Sequence, residues 1–128
     1  MIFAGIGARK GVTVKEVLAA IDAAIAAHGL TRGAIAALCS NMSKAAELGI
    51  ASAAKELGIE CRAIAHPKLR KAAERTITRS GASIAATGLS SLSEAAALAA
   101  AGAGARLLGP RVEVGPVTCA LATSEDAR

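Results

Sequence analysis

The feature that most constrains the fold is an alternation along the chain between short apolar runs and segments with helical spacing of apolar residues. Residues 2–6, 34–39 and 61–65 have the pattern of strands, and amphipathic helices are predicted between them. Two further strands are predicted around residues 106–108 and 117–122. Such alternation is typical of β-α-β units. We therefore predict an α/β fold with three layers, α/β/α, around a mostly parallel or mixed sheet of about five strands.

Capping residues and glycines indicate the first two helix boundaries. Thr13 and Glu16 have the spacing of a capping box, in which each side chain bonds the backbone N–H of the other residue. Gly29 is predicted to end this helix. A second helix is predicted from about Lys44, with its end at Gly58.

The later helices have similar signals. Pro67 can occupy the first turn of a helix, where its missing N–H is not needed. Residues 83–88 are predicted to form a short helical turn. Ser91 and Glu94 have the spacing of a second capping box, which opens an alanine-rich helix that ends near Gly102.

Length and composition indicate one cytoplasmic domain. We predict a single domain at residues 1–123 and a polar tail at 124–128. The longest uncharged apolar run, residues 95–105, is too short to cross a bilayer. The first apolar stretch comes before Arg9 and Lys10, the reverse of a secretory signal. We expect a cytoplasmic protein without a membrane partner.

Charge and cysteine usage limit the possible ligands. The formal net charge of +5 favours anionic partners. The chain has a single aromatic residue, Phe3, and no aromatic rings among its basic residues on which nucleic-acid bases could stack. We therefore expect no nucleic acid, and either a small polyanion as ligand or merely a solvated basic surface. Cys39, Cys61 and Cys119 fall in predicted strands without C-x-x-C spacing, which favours buried structural thiols. We expect no metal and no cofactor.

A glycine-rich stretch follows the first predicted strand and precedes a helix. Gly5, Gly7 and Gly11 allow sharp turns that expose backbone N–H groups, and Arg9 with Lys10 adds positive charge. This combination suits a carboxylate or a phosphate. The spacing matches neither a P-loop nor G-x-G-x-x-G, so a plain tight turn is the alternative.

Two other polar segments follow predicted strands. Ser43, Lys44 and Glu47 lie at the carboxyl end of the second strand, where ligands gather in open α/β sheets. Alternatively, Ser43 caps the helix and Lys44 pairs with Glu47 on its surface. His66 and the basic run at 68–71 follow the third strand. These residues either bind a ligand or form a solvent-exposed face of a helix.

The last candidate segment contains Ser91, Ser93 and Glu94. Glu94 can be a general base beside a helix start, or merely the capping-box partner of Ser91. In the second case Glu94→Gln should cost well under ~1 kcal/mol, because glutamine makes the same hydrogen bond. The residues leave both interpretations open. We expect Gly5, Gly7, Arg9, Lys44 and Glu94 to converge on one cleft at the carboxyl end of the sheet, whichever interpretation holds.

Four segments together resemble one family. The resemblance covers nearly the whole chain, with the segments in the right order and spacing, and the Ser-Glu-Ala-Ala-Ala-Leu segment is the most specific. The four segments are residues 5–11 (GIGARKG), 44–49 (KAAELG), 91–98 (SLSEAAAL) and 118–122 (TCALA). In these segments the chain resembles CobE and the C-terminal domain of CbiG, proteins of cobalamin biosynthesis.

The resemblance implies an α/β/α domain with a role in building the corrin ring. In the anaerobic route, CbiG opens the δ-lactone of cobalt-precorrin-5A and releases acetaldehyde. Because no partner domain precedes this domain in the sequence, we expect the free-standing CobE type of the aerobic route. The family commonly has Cys where this chain has Ala8, so no thiolate mechanism is available at that position.

Three hypotheses for the function follow. The first is a protein that binds an anionic corrin or precorrin intermediate, without covalent chemistry. The second is a lactone hydrolase in which Glu94, Glu47 or His66 activates water and the Arg9 loop stabilises the oxyanion. The third is a module that docks on a corrin methyltransferase. The predicted ligand-binding residues are Gly5, Gly7, Arg9, Lys10, Gly11, Ser43, Lys44, Ser91 and Ser93.

Overall fold

Six strands form one mixed sheet in the computed structural model, which describes residues 1–124. The strands are β1 (Ile2–Ala8), β2 (Ile35–Asn41), β3 (Glu60–Ile64), β4 (Arg106–Leu107), β5 (Val112–Val114) and β6 (Val117–Thr123). Their order is β3-β2-β1-β6-β4, and β5 also pairs with β6. The first three strands are parallel, whereas β6 runs antiparallel to its neighbours β1, β4 and β5. The predicted α/β fold with a mixed sheet is confirmed, and β5 is a strand that the sequence did not predict.

Helices cover both faces of the sheet. They are α1 (Val14–Ala27), α2 (Met42–Ala45), α3 (Leu48–Leu57), α4 (His66–Ala72), α5 (Gly81–Thr87) and α6 (Leu92–Ala101), with 3-10 turns at Arg32–Ala34 and Ala73–Arg75. The helices α1 and α3 pack on one face of the sheet, and α4 and α6 pack on the other face. Each face therefore has its own hydrophobic core.

Strand β1 separates the two cores. Ala4 and Ile6 contribute to the core under α1, and Phe3 contributes to the core under α6. Because side chains alternate along a strand, Gly5 and Gly7 face the same side as Phe3. The two glycines therefore lie beneath α6.

The structure confirms the first predicted capping box. The Glu16 N–H donates to Thr13 Oγ1 at 3.1 Å, and the Thr13 N–H donates to Glu16 Oε1 at 3.0 Å. Gly58, with φ of +74°, ends α3 as expected. This left-handed conformation is one that glycine adopts without steric cost.

The prediction of one continuous helix from about Lys44 to Gly58 is wrong. This segment is divided into α2 and α3, because Glu47 has extended backbone angles (φ −63°, ψ 130°) between them. Asn41, not Ser43, caps α2: its Oδ1 accepts the N–H of Lys44 at 2.8 Å. The Ser43 hydroxyl instead donates to Asn41 Oδ1 at 3.3 Å.

The Ser124 N–H donates to the Met1 carbonyl at 3.0 Å, and the rest of the predicted tail, 125–128, lies outside the described residues. Within residues 1–124 no single helix is long and apolar enough to cross a membrane, and α5 with α6 reaches that length and hydropathy only across a bend of 67°.

All three cysteines lie in strands, as predicted, but they differ in burial. Cys39 in β2 and Cys119 in β6 are fully buried, and burial raises the pKa of each thiol to about 12. Cys61 lies in the edge strand β3 and is only partly buried, although desolvation still raises its pKa. The prediction of buried thiols is therefore confirmed for two cysteines and wrong for the third, because β3 has a neighbour on one side only.

Thiol labelling at pH 8 should distinguish these sites. Only about one in 10⁴ molecules has a thiolate at a site whose pKa is about 12. We expect a disulfide reagent to modify Cys61 in the native protein, and Cys39 and Cys119 only after unfolding. A Cys61→Ala variant should show no fast-reacting thiol, and rapid labelling of this variant would contradict the buried positions.

Candidate functional site

The parallel strands β1, β2 and β3 end at one edge of the sheet, with Ala8, Asn41 and Ile64 as their last residues. The Arg9–Lys10–Gly11 loop, α2 and His66 follow these strand ends directly. This is the edge where open α/β sheets bind ligands. The topology thus brings several of the predicted site residues to one edge.

Neighbouring segments hold the loop after β1 in place from two sides. The Gly11 N–H donates to Glu47 Oε1 at 2.9 Å, and the Arg9 N–H donates to the Pro116 carbonyl at 3.2 Å. The start of α3 also packs tightly here, since a Cβ on Gly49 would lie 2.2 Å from the Val12 carbonyl oxygen. Glu47 therefore positions the basic loop, and within residues 1–124 it forms no ion pair with Lys44.

We call Arg9, Lys10, Lys44, Met42 and Leu48 the basic edge. Arg9 and Lys10 are exposed and Lys44 is partly buried, and none of the three cations forms an ion pair within the described part of the chain. Met42 is 63% exposed and Leu48 is 79% exposed. The basic edge therefore combines free cations with exposed aliphatic side chains.

Gly5 and Gly7 do not belong to a turn. The strand runs to Ala8 and not to residue 6 as predicted, so both glycines pair with neighbouring strands inside the sheet. A Cβ on Gly5 would lie 1.8 Å from the Ser93 carbonyl oxygen and 2.7 Å from the Ala97 nitrogen, both in the backbone of α6. The absent side chain at Gly5 allows α6 to contact β1 closely. Gly11, with φ of +80°, is the turn residue of this stretch.

Glu94 is fully buried and accepts four hydrogen bonds. The N–H groups of Ile77 and Thr78 donate to Oε1 at 2.7 and 2.8 Å. The Thr78 hydroxyl and the Arg111 N–H donate to Oε2 at 2.6 and 2.9 Å. A carboxylate with this many donors is well stabilised without water. Glu94 thereby connects the start of α6 to two separate loops.

The second predicted capping box is only half present. Ser91 Oγ accepts the Glu94 N–H at 3.4 Å, but the Glu94 side chain turns away from the Ser91 backbone toward residues 77–78 and 111. Ser91 and Ser93 are fully buried, with their hydroxyl oxygens 3.5 Å apart. Their predicted role in ligand binding stays a prediction.

The predicted site residues therefore form two groups, and the expectation of one shared cleft is wrong because Glu94 is fully buried and lines no cleft. His66, the first residue of α4, is exposed and follows the strand end of β3. The group at the carboxyl edge of the sheet consists of Arg9, Lys10, Gly11, Ser43, Lys44, Glu47 and His66. The group in the interior, between β1 and the start of α6, consists of Gly5, Gly7, Ser91, Ser93 and Glu94.

Sequence reasoning missed the partners of Glu94 and the apolar part of the basic edge. Thr78 and the backbone N–H of Arg111 are distant from Glu94 in sequence. The available signal was the apolar composition of residues 92–101 all around the helix, which predicts burial and hence donors for any carboxylate within it. Within residues 1–124 no three His, Cys, Asp or Glu side chains lie close enough to hold a metal ion.

The comparisons with known proteins identify the family. Residues 2–122 match the family model described as cobalamin synthesis G C-terminus. The chain belongs to this family. No curated protein matches it. The resemblance predicted from the four sequence segments is confirmed, and the protein is a CobE/CbiG-like protein of cobalamin biosynthesis.

Solved structures of this kind superpose on the chain over nearly its full length. The crystal structure of CobE, a protein from the cobalamin (vitamin B12) biosynthetic pathway, has a TM-score of 0.89 and 32% identity over 95% of this chain and 89% of CobE. The cobalamin biosynthesis protein chiG from Agrobacterium tumefaciens has a TM-score of 0.78 and 46% identity over 98% of this chain and 100% of chiG. A putative cobalamin biosynthesis protein G homolog from Sulfolobus solfataricus, at 21% identity, shares the fold over 97% of this chain and 37% of its own (TM-score 0.70).

Proposed function

We propose that this member of the family binds an anionic corrin or precorrin intermediate at the basic edge. The observation that carries the proposal is the loop held by Glu47, which presents two exposed cations beside exposed aliphatic side chains. Arg9 and Lys10 lie on this loop, and Met42 and Leu48 flank the segment that contains Lys44.

The chemistry of corrin intermediates fits this surface. They carry acetate and propionate side chains around a ring with apolar faces. Charge-assisted hydrogen bonds from Arg9, Lys10 and Lys44 can hold the carboxylates. The exposed parts of Met42 and Leu48 can cover the ring, with a gain of about 25 cal/mol for each Å² of apolar surface removed from water.

The alternative activity, lactone hydrolysis, needs a base that reaches both water and the substrate. Glu94 is buried and its oxygens already accept four hydrogen bonds, which argues against that role. Glu47 and His66 are the remaining candidates, since both lie at the carboxyl edge. Docking on a corrin methyltransferase stays a prediction.

The proposal predicts that Arg9→Ala weakens binding of cobyrinic acid, a corrin whose acetate and propionate groups are free carboxylates. A charge-assisted contact contributes roughly 1.5–3 kcal/mol, so the dissociation constant should rise at least about tenfold. Absorbance titration at fixed salt would measure it. The same titration at higher salt should show weaker binding by the parent protein.

The matched control is Arg106→Ala. Arg106 is exposed in β4 and pairs with Thr123, at the opposite end of the sheet from Arg9. This variant should bind cobyrinic acid like the parent. Cobinamide, in which the side chains are amidated, should bind much more weakly than cobyrinic acid. Equal affinity of the Arg9→Ala variant and the parent would refute the proposal, and acetaldehyde release from the δ-lactone substrate would instead indicate the hydrolase.

A further inference from the structure

A groove of about 620 Å³ lies between the end of α6 and the segment formed by α4 and the 3-10 turn after it. The wall at 102–104 lies toward the opposite end of the sheet from the basic edge: Arg106, two residues beyond this wall, pairs with Thr123, which pairs with Ile2 at the start of β1. The lining residues are Lys68, Lys71, Ala72, Glu74, Arg75, Leu98, Ala99, Gly102, Ala103 and Gly104.

One wall of the groove is basic and its floor is apolar. Lys68, Lys71 and Arg75 recur at helical spacing and so lie on one face of the segment. Ala72 and Leu98 are buried beneath them. Arg75 is fixed, since its Nη1 donates to the Ala105 carbonyl at 2.8 Å. Three cations thus lie along an aliphatic floor, and Glu74 is the single carboxylate among the lining residues.

The position of Lys68 does not stabilise its own helix. It lies in the first turn of α4, where the positive end of the helix dipole disfavours a cation. Within the described residues neither Lys68 nor Lys71 forms an ion pair. The two ammonium groups are therefore available to an external anion.

The opposite wall offers backbone donors. Ala103 and Gly104 are exposed in the turn after α6, and their N–H groups make no hydrogen bond to any other described residue. Gly104 has φ of +79°, a conformation that favours glycine. An acidic group in the groove can therefore contact ammonium groups on one side and N–H groups on the other.

We propose that this groove binds an amphiphilic organic anion, a molecule with an apolar body that carries carboxylate, sulfonate or phosphate groups. Its volume lies within the range of roughly 300–1,000 Å³ that is usual for small-molecule sites. The inference is independent of corrin binding at the basic edge, because the two surfaces share no residue.

The probe for the test is 1-anilinonaphthalene-8-sulfonate, which has an apolar ring system and one sulfonate. We expect one molecule to bind per chain with enhanced fluorescence, and Lys68→Glu to weaken this binding at least tenfold. Lys68→Glu should leave the melting temperature unchanged or slightly raised, because a carboxylate suits the first turn of a helix. Lys15→Glu is the matched control: it makes the same charge change in the first turn of α1, outside the groove, and should not affect affinity.

A second variant fills the groove without changing its charge. Ala103→Trp should abolish probe binding while the circular dichroism spectrum stays that of the parent. In ¹⁵N-labelled protein the amide signals of Ala103 and Gly104 should move downfield as the probe is added. Unchanged affinity in both Lys68→Glu and Ala103→Trp, or amide shifts confined to other parts of the chain, would overturn the proposal.

Discussion

Replacing Gly5 with alanine is expected to destabilise the protein more than any other single methyl addition considered for β1. The new Cβ would lie 1.8 Å from the Ser93 carbonyl oxygen and 2.7 Å from the Ala97 nitrogen. Both are backbone atoms, so no change of rotamer relieves the clash and α6 must move away from the sheet. We expect a loss of about 3 kcal/mol or more in the free energy of unfolding, at the upper end of the usual cost of overpacking.

Urea unfolding followed by circular dichroism would measure this loss, since the chain has no Trp or Tyr for a fluorescence signal. Gly7→Ala should cost less, because its Cβ would meet the rotatable Thr118 hydroxyl at 2.6 Å. Gly81→Ala in α5 meets no atom within 4 Å and should be neutral or stabilising. A Gly5→Ala protein as stable as Gly81→Ala would contradict the close contact between β1 and α6.

The fate of these glycines illustrates what the sequence could and could not predict. The alternation of patterns identified β1, β2, β3, β4 and β6, because local apolar runs mark these strands. The reason for glycine at position 5, however, is a helix some ninety residues later in the chain, which no local pattern reveals. A glycine pair before Arg9 and Lys10 therefore favoured a turn in sequence, although the strand continues to Ala8.

The basic edge was also partly predictable from local sequence patterns. Arg9, Lys10 and Lys44 follow strand ends, and topology brings parallel strand ends together. The hydrogen bond from Gly11 to Glu47 joins residues 36 positions apart, and the break between α2 and α3 that accompanies it has no local signal. β5 is also missing from the prediction, because its three residues lie between Gly109-Pro110 and Gly115-Pro116, pairs that favour turns.

Glu94 shows how a correct local pattern can hide a different contact. The spacing of Ser91 and Glu94 fits a capping box, and the Ser91 half of it is present. The Glu94 carboxylate instead takes donors from residues 77–78 and 111, where it accepts four hydrogen bonds in place of one. A buried carboxylate must be fully hydrogen-bonded, so this arrangement is the more stable of the two.

Glu94→Gln should therefore cost about 2–4 kcal/mol of unfolding free energy, and not the small amount that a capping partner would cost. Glutamine keeps one oxygen and places an NH₂ donor where the other oxygen was. If the remaining oxygen accepts from Ile77 and Thr78, the NH₂ group faces the Arg111 N–H. If the remaining oxygen instead accepts from Arg111, the NH₂ group faces the N–H groups of Ile77 and Thr78. The Thr78 hydroxyl can rotate to accept, but at least one partly buried N–H loses its partner in either orientation.

The matched control for this loss is Glu47→Gln. Glu47 accepts one backbone hydrogen bond through Oε1, from Gly11, and a glutamine oxygen can accept the same bond. We expect this variant to unfold within about 0.5 kcal/mol of the parent, as surface substitutions commonly do. Thr78→Val adds a second measurement, since it removes one donor to Glu94 and leaves the three N–H groups in place. Equal urea midpoints for Glu94→Gln and Glu47→Gln would mean that Glu94 does not hold the two loops, and would return it to the role of a capping residue.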